Sequence, residues 1–314
     1  MARKALGPAT LAVVQAVDAV AATGTDGWLV ACSGGADSLA LAWAAHHVGA
    51  RRSIPVRAVV VDHGLQAGSD AVAAGVVATL AGFGLAAQVA AVTVPDAGAG
   101  PEASAREARY AALTAAARPG ERILLGHTLD DQAETVLLAL ARGSGIRSLQ
   151  GMRVERDALV RPLLGVGRET TTAACAELGL TPWQDPMNAD HRYARVRVRE
   201  VVLPVLEREL GPGIREALAR TATVSGEAHD LVAALADETD PGLVSDCGHL
   251  AGLAPGIRRA VLADWLRDAG ATEVTAGHVH AVERLVTAWR GQKGVDVPGG
   301  RVVRRDGRLA FAVK

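Results

Sequence analysis

Cysteine is scarce in this sequence: three in 314 residues, at Cys32, Cys175 and Cys247, with no C-x-x-C pair. An odd count at wide spacing excludes a disulfide framework and a cysteine-based structural zinc site, and it suits a reducing cytoplasm. Lysine occurs only at Lys4, Lys293 and Lys314, so basic chemistry must be read from arginine. The formal charge of −1 gives no overall pull toward nucleic acid; any basic surface has to be local. The N-terminus lacks the layout of a signal peptide. Charge is missing from Ala71 to Pro95, a run long enough to cross a bilayer. That run is mostly Ala, Gly and Val and is broken by Gly82 and Gly84. A buried helix, a glycine turn and a buried strand explain it better, so a soluble cytoplasmic protein with no membrane partner is expected.

What is present begins at Trp28-Leu29-Val30-Ala31-Cys32, an apolar run of strand length. Ser33-Gly34-Gly35-Ala36-Asp37-Ser38 follows, and an Ala/Leu-rich helical pattern starts at Asp37 or Ser38. Two glycines let the backbone turn sharply and come close to a ligand. The next helix aims its free N–H groups and positive dipole end at the turn, which makes an anion cradle suited to phosphate. Asp37 could hold a metal ion bridging phosphate oxygens, and Ser33 and Ser38 add hydroxyls. No lysine sits in the loop, which excludes the G-x-x-x-x-G-K-[ST] phosphate loop.

The length suggests two domains. A short helix over 10–22 precedes the first strand. Val56–Val61 is a second buried strand ending in Asp62-His63-Gly64-Leu65. Ser69 or Asp70 can cap a helix over 71–81, and Ala86–Val94 is a third strand. A helix over 102–117 carries Glu102, Arg106, Glu107, Arg109 and Tyr110, and Arg122–Leu125 is a fourth strand. Apolar strands alternating with helices imply an α/β, Rossmann-like parallel sheet covered on both faces. Ligands then sit beyond the strands' carboxyl ends, where Ser33, Asp62, His63 and His127 all fall.

A second stretch, Gly126-His127-Thr128-Leu129-Asp130-Asp131-Gln132-Ala133-Glu134-Thr135, opens another helix with Asp131 and Glu134 on one face. Carboxylates there can be plain capping, or, beside a phosphate loop, a divalent-metal or amine site. Arg142-Gly143-Ser144-Gly145 suggests a mobile cover. A third stretch, Trp183-Gln184-Asp185-Pro186-Met187-Asn188 and Asp190–Arg199, holds four arginines and no acid from His191 onward. Arginine with an interleaved tyrosine suits phosphate contact and base stacking, and equally a solvated edge. Beyond Pro204, helices at 213–236, 256–268 and 276–290 precede Val295-Asp296-Val297 and a hairpin, Arg301–Arg304 and Arg308–Val313, with Asp306-Gly307 as its turn. The helix at 276–290 places Val279, Val282, Leu285, Val286 and Trp289 on one face as core. His278 and His280 lack further ligands nearby, which argues against metal there. The expected division is a catalytic domain over 1–212 and a smaller α+β domain over 213–314.

The S-G-G-x-D-S loop resembles that of the N-type ATP pyrophosphatases. V-D-H-G-L, E…A-R-x-x-R-Y, G-H…D-D-Q-x-E-T with R-G-S-G, R-P-L-L and W…D-P-x-N…R-x-x-x-R-x-x-x-L-P follow it in order. As a set, over about residues 28–206, they resemble the tRNA(Ile)-lysidine synthases. Met187 stands where that family usually has Ser, and Val196 where it usually has Asn. The resemblance implies ATP cleaved between its α- and β-phosphates, with Ser33, Gly34, Gly35, Ala36, Asp37, Ser38, Asp62 and His63 holding the nucleotide. It implies Mg2+ on Asp37 and Asp131 with Glu134 nearby, and His127 and Arg109 positioning phosphate or lysine. Asn188, Arg192, Tyr193, Arg195 and Arg199 would touch RNA. The partners are free L-lysine and an isoleucine tRNA with a CAU anticodon, whose body the C-terminal domain would help hold through Arg301, Arg304, Arg305 and Arg308. Whether the chain pairs as a homodimer is left open.

Three rivals share the loop. A tRNA thiolation enzyme needs paired cysteines or an iron–sulfur cluster. Amide-forming NAD or GMP synthases lack the 126–145 and 183–199 stretches. A non-catalytic nucleotide-sensing module has no use for Asp37, Asp131 and Glu134 near one loop.

Overall fold

A computed structural model describes residues 5–21, 25–64, 68–92, 101–143 and 145–313. Leu65, Ser144 and the last residues of the expected third strand lie outside this set, as do the side chains of Glu102 and Asn188. The chain divides into two compact units, Met1–Leu138 with Met152–Arg220, and Ala139–Gly151 with Thr221–Lys314.

The first unit alternates as the hydrophobic pattern requires: α1 (Pro8–Ala19), β1 (Gly27–Ala31), α2 (Ala36–Arg52), β2 (Val56–Asp62), α3 (Ser69–Gly82), β3 (Ala87–Ala91), α4 (Pro101–Ala116), β4 (Glu121–Leu124) and α5 (Leu129–Ala141). After the short α6 (Ile146–Leu149), which belongs to the second unit, come β5 (Glu155–Arg156), β6 (Leu159–Val160) and α7 (Arg168–Glu177). Next are α8 (Ala194–Arg197), a π-helical turn over Val198–Val202, α9 (Leu203–Leu210) and the start of α10 (Ile214–Asp237), which from Thr221 onward belongs to the second unit. The sheet order is β3-β2-β1-β4-β6-β5, parallel except for β5. The order reverses between β1 and β4, which puts a ligand crevice at their carboxyl ends.

Side chains alternate faces along a strand. Trp28 and Val30 of β1 therefore join Val17, Leu41 and Leu80 on one side, while Leu29 joins Val59, Leu113 and Ile123 on the other. Burial on both faces is why β1 reads as an unbroken apolar run. The third strand departs from that expectation. β3 pairs with β2 alone at the sheet edge, most of it is exposed, and its alanines have little surface to bury. Two helix starts also differ. Neither Ser69 nor Asp70 caps α3; Gly68 does, in the left-handed region at φ 80°, and both residues lie in the first turn. α2 starts at Ala36, because extended Gly35 (φ −69°, ψ 162°) already turns the chain into the helix.

Helix α7, which the motifs did not reveal, packs with α1 and α2 and is clasped at its far end. Glu177 accepts from Ala9 N (3.1 Å), Thr10 N (2.8 Å) and Thr10 Oγ1 (2.6 Å), and so caps α1 across the sequence.

The second unit builds its own core from α11 (Cys247–Gly252), α12 (Pro255–Asp268), α13 (Ala276–Thr287) and the antiparallel β7 (Val295–Val297), β8 (Gly300–Arg305) and β9 (Arg308–Val313). Asp306 (φ 47°) and Gly307 (φ 75°) both adopt the positive φ of the two-residue hairpin turn. His278 completes a capping box with Thr275. Trp289 lies beyond the end of α13 and is not core: it is 37 % exposed, with the Arg304 guanidinium 5.4 Å from its ring. Among the described residues no helix is long and apolar enough to cross a membrane.

Candidate active site

The loop after β1 is rigidly built. Gly34 sits at φ 86°, and a Cβ added there would meet Val76 Cγ2 at 2.4 Å. Its carbonyl accepts from Trp183 N at 2.9 Å, which pins the Trp183 segment to the turn. Ser38 Oγ accepts from Ser33 N (3.1 Å) and donates to the Gly35 carbonyl (3.0 Å), so this hydroxyl braces the loop from within. Gly126 at the end of β4 lets the first turn of α2 come close, since a Cβ there would lie 3.2 Å from Ser38 N. Gly34→Ala is expected to destabilise the protein by about 1–3 kcal/mol through strain and the Val76 clash. It should also erase the Tm gain that ATP gives the wild type; a variant that melts and responds like wild type would refute this account of the loop.

Four carboxylates meet beyond the loop, paired with Arg168, Arg195, Arg199 and, at Asp130, Arg215 (3.1 Å). Asp37 extends from α2, and Asp130, Asp131 and Glu134 from the first turns of α5. Arg168 opens α7, and its guanidinium bridges the set: Nε lies 3.4 Å from Asp37 Oδ2, Nη2 3.0 Å from Asp131 Oδ1, and Nη1 3.5 Å from Glu134 Oε1. Asp130 Oδ2 accepts the Arg168 backbone N–H at 2.8 Å, tying the start of α7 to α5. Thr171 Oγ1 donates a short hydrogen bond to Asp37 Oδ1. Asp131 Oδ2 takes Thr128 N (2.8 Å) and Thr128 Oγ1 (2.9 Å). Glu134 is fully buried and receives Arg199 Nε at 2.7 Å and Nη2 at 3.1 Å, with Arg195 Nε at 3.6 Å.

The two aspartates are tuned in opposite directions. Burial raises the Asp37 carboxyl above its ordinary value, with Asp131 adding to the rise and Thr171 and Arg168 opposing it. Burial also pushes Asp131 up, but Arg168, Thr128 and His127 outweigh it and the net is a lowered value. Among the described residues no group of three or more His, Cys, Asp or Glu is arranged to hold a metal ion. Asp37 and Asp131 nevertheless grip one cationic group together, and two carboxylates completed by phosphate oxygens are what Mg2+ ordinarily takes.

His127 follows β4 and is driven down to about 3, mainly by burial, then by Arg109, Arg161 and Arg106, with Asp131 opposing. It is therefore neutral when folded and gains a proton near 6.5 when unfolded. Its contribution to stability is complete above pH 6.5 and is lost as pH falls from there toward 3. Between pH 6.5 and 5 the loss should approach about 2 kcal/mol, less with solvent screening. Denaturant melts of wild type and His127→Asn over that range check this; equal slopes would refute it.

The remaining expected residues are distributed as follows. Asp62 ends β2 and its Oδ1 accepts Gly64 N at 3.0 Å. His63 is half-buried, its Nδ1 lacks a partner, and burial, then Arg109, lower its basicity. Arg192 is exposed and pairs with Asp190 at 2.6 Å, and Tyr193 N-caps α8. Arg195 and Arg199, expected on an RNA-facing surface, turn inward onto Glu134. Arg168 and Thr171 lie in none of the stretches picked out above, and Thr128 and Arg161 stand in two of them without an assigned role. The available signal was Arg168 following Gly167, seven residues after the R-P-L-L arginine. Nothing local, however, marks a partner 131 positions away.

All three cysteines are buried free thiols, and burial raises each of them, Cys175 to about 11. None is a thiolate at neutral pH.

A PP-loop domain model matches residues 10–206, and a TilS substrate binding domain model matches 246–310. A tRNA(Ile)-lysidine synthase from Mycolicibacterium paratuberculosis is 53% identical over 295 residues, 90% of each chain. One from Salinispora arenicola is 52% identical over 324 residues, 97% of each chain, and one from Streptomyces coelicolor is 49% identical over 89% of this chain and 83% of its own. Among solved structures, the U34-tRNA thiolase NcsA from Methanococcus maripaludis with its 4Fe-4S cluster matches with a TM-score of 0.57. It does so at 16% identity over 68% of this chain and 78% of that one, which is a likeness of fold. A glycine turn between β1 and α2 with carboxylates beside it at the sheet's switch point, two family models in sequence order and relatives at about half identity along nearly the whole length agree: this chain belongs to the tRNA(Ile)-lysidine synthase family.

Proposed function

We propose that the protein joins free L-lysine to C2 of the first-anticodon-position cytidine of an isoleucine tRNA with a CAU anticodon, using ATP and releasing pyrophosphate and AMP. The observation that carries this reading is the convergence of Asp37 and Asp131 on one cation at the N-terminal end of α2. A negatively charged triphosphate is drawn to that helix end, and the flanking carboxylates demand a cation beside it.

The loop N–H groups of Gly34–Ser38 hold the departing pyrophosphate and stabilise the charge that grows on it. The cytosine O2, splayed from its loop, attacks the α-phosphorus; the bond to pyrophosphate breaks and the base is adenylylated. Bound Mg2+, held by Asp37 and Asp131, would supply charge neutralisation at the phosphates. Lysine reaches the site with its side-chain amine protonated. Asp131 or Glu134 receives that proton, the free amine attacks the activated C2, and AMP leaves. Arg168 has to release at least one carboxylate for these events. In this reading residues 1–212 form the catalytic domain and 213–314 assist in holding the tRNA.

The test is incubation of the full chain with ATP, Mg2+, labelled lysine and that tRNA. The expected result is one labelled nucleoside at the anticodon's first position with equimolar AMP and pyrophosphate. ADP as the product, or label elsewhere, would overturn the proposal.

A further inference from the structure

Asp37 and Asp131 each tie one oxygen to the fold and offer the other to Arg168. Asp37 Oδ1 accepts from Thr171 Oγ1, and Asp131 Oδ2 accepts from Thr128 N (2.8 Å) and Thr128 Oγ1 (2.9 Å). The opposite oxygens, Asp37 Oδ2 and Asp131 Oδ1, meet two nitrogens of one guanidinium, Arg168 Nε at 3.4 Å and Nη2 at 3.0 Å. Among the described residues no other cation pairs with Asp37 Oδ2, and the next for Asp131 Oδ1 is Arg199 Nη2 at 3.8 Å. The neighbouring carboxylates do not depend on Arg168: Glu134 keeps Arg199 at 2.7 Å and Asp130 keeps Arg215 at 3.1 Å. Withdrawing this one guanidinium therefore bares two oxygens, one on each aspartate.

The side chain is free to leave without undocking its helix. The start of α7 is held by its backbone, since Arg168 N donates to Asp130 Oδ2 at 2.8 Å, and Thr171 adds a second tie to α2. The Arg168 side chain is 26 % exposed, whereas that of Glu134 is fully buried. Charge explains why the guanidinium stays in the absence of nucleotide. Asp37, Asp130, Asp131 and Glu134 face Arg168, Arg195, Arg199 and Arg215, four carboxylates against four guanidiniums. A balanced cluster exerts little net pull on a lone divalent ion, which would also have to displace a cation already in contact. A polyphosphate changes that balance, because a guanidinium pairs with phosphate oxygens as readily as with carboxylates.

We propose that Arg168 is an internal counter-ion that withholds Asp37 Oδ2 and Asp131 Oδ1 from a lone divalent cation. It yields them when the cation arrives with a polyphosphate, and the freed guanidinium then pairs with the phosphate oxygens. This rests on the cation and nucleotide of the ligation reading above and extends it: the two enter together, and the metal alone is refused. By reciprocity each then tightens the binding of the other.

The test is titration of the full chain with Mn2+, with and without α,β-methylene-ATP, reading protein-bound Mn2+ by electron paramagnetic resonance without tRNA or lysine. Arg168→Gln is expected to bind Mn2+ alone about 10- to 100-fold more tightly than wild type, the range for removing one charge-assisted competitor. The further gain from the nucleotide analogue should shrink in the variant by a similar factor. Arg168→Lys keeps a charge, but its compact ammonium cannot span both oxygens. Its Mn2+ affinity should fall between the other two, and it carries the test if Arg168→Gln does not fold. Adding Asp37→Asn to either variant should abolish the gain, which assigns the ion to the bared aspartates. Mn2+ binding by the Arg168 variants that is unchanged or weaker would make the residue a fixed brace and overturn the proposal. A gain that survives Asp37→Asn overturns it too, as does a wild type that takes Mn2+ equally well with and without the analogue. Failure of the ligation reading would show separately, as wild type that releases no AMP with tRNA and lysine, while these Mn2+ ratios remain readable.

Discussion

Asp37→Ala is expected to lower pyrophosphate release by about 10³-fold or more, the scale on which removal of a dedicated charge-stabilising group acts. Asp37 sits in the first turn of α2, whose N-terminal end the proposed function turns toward the phosphates, and the described residues place no second carboxylate on that turn. Its oxygens are already held by Thr171 and Arg168, so the charge is aimed before substrate arrives. Asp37→Asn keeps an acceptor for Thr171 but not the charge, and should fall nearly as far. Near-normal release by the Asn variant would show that the residue merely braces α7 against α2. Filter binding of tRNA should stay within about twofold in both variants, because a single loop carboxylate adds little to a contact made through many phosphates.

Glu134→Ala carries the second large effect, on stability as well as turnover. The carboxylate is fully buried, and its loss leaves Arg199, Arg195 and Arg168 facing one another without their shared anion. Breaking a buried pair from one side costs about 3–5 kcal/mol. For a unit of this size that is a fall in Tm of roughly 10 °C. Glu134→Met combined with Arg199→Met should recover part of the loss, since the pair is then replaced by apolar bulk. A double variant no more stable than Glu134→Ala, or a single variant that melts like wild type, would show that the ion pair does not stabilise the fold.

The difference between what could be read early and what could not is a matter of range. Strand, two glycines and helix at 28–38 are neighbours in sequence, and so are Asp306 and Gly307, so backbone chemistry alone placed them. The spacing of Asp131 and Glu134 likewise put both on one helix face. Arg168 was invisible because its meaning comes from Asp37, Asp131 and Glu134, carried by α2 and α5. Arg195 and Arg199 read equally as an RNA-contacting run and as a solvated edge, since arginine spacing tells neither of these from a helix face turned to a buried glutamate. Ala86–Val94 looked internal because alanine and valine count as apolar, yet only the pairing order shows that β3 has a single neighbour. Trp289 fell on the core stripe of α13 only while the helix was extended past Thr287.

The π-helical turn over Val198–Val202 lies between two anchored ends. Upstream, Arg195 and, inside the turn itself, Arg199 reach Glu134; downstream, Leu203 and Leu206 pack on the Ala133 side of α5. An added residue in a helix shifts the phase of all that follows by about 100°. Deleting one residue from this turn would restore ordinary helical winding and force a choice between the ion pairs and the leucine contact. The count of residues in this segment is thus fixed independently of their identity. Length variation should be tolerated in the surface loops and excluded here.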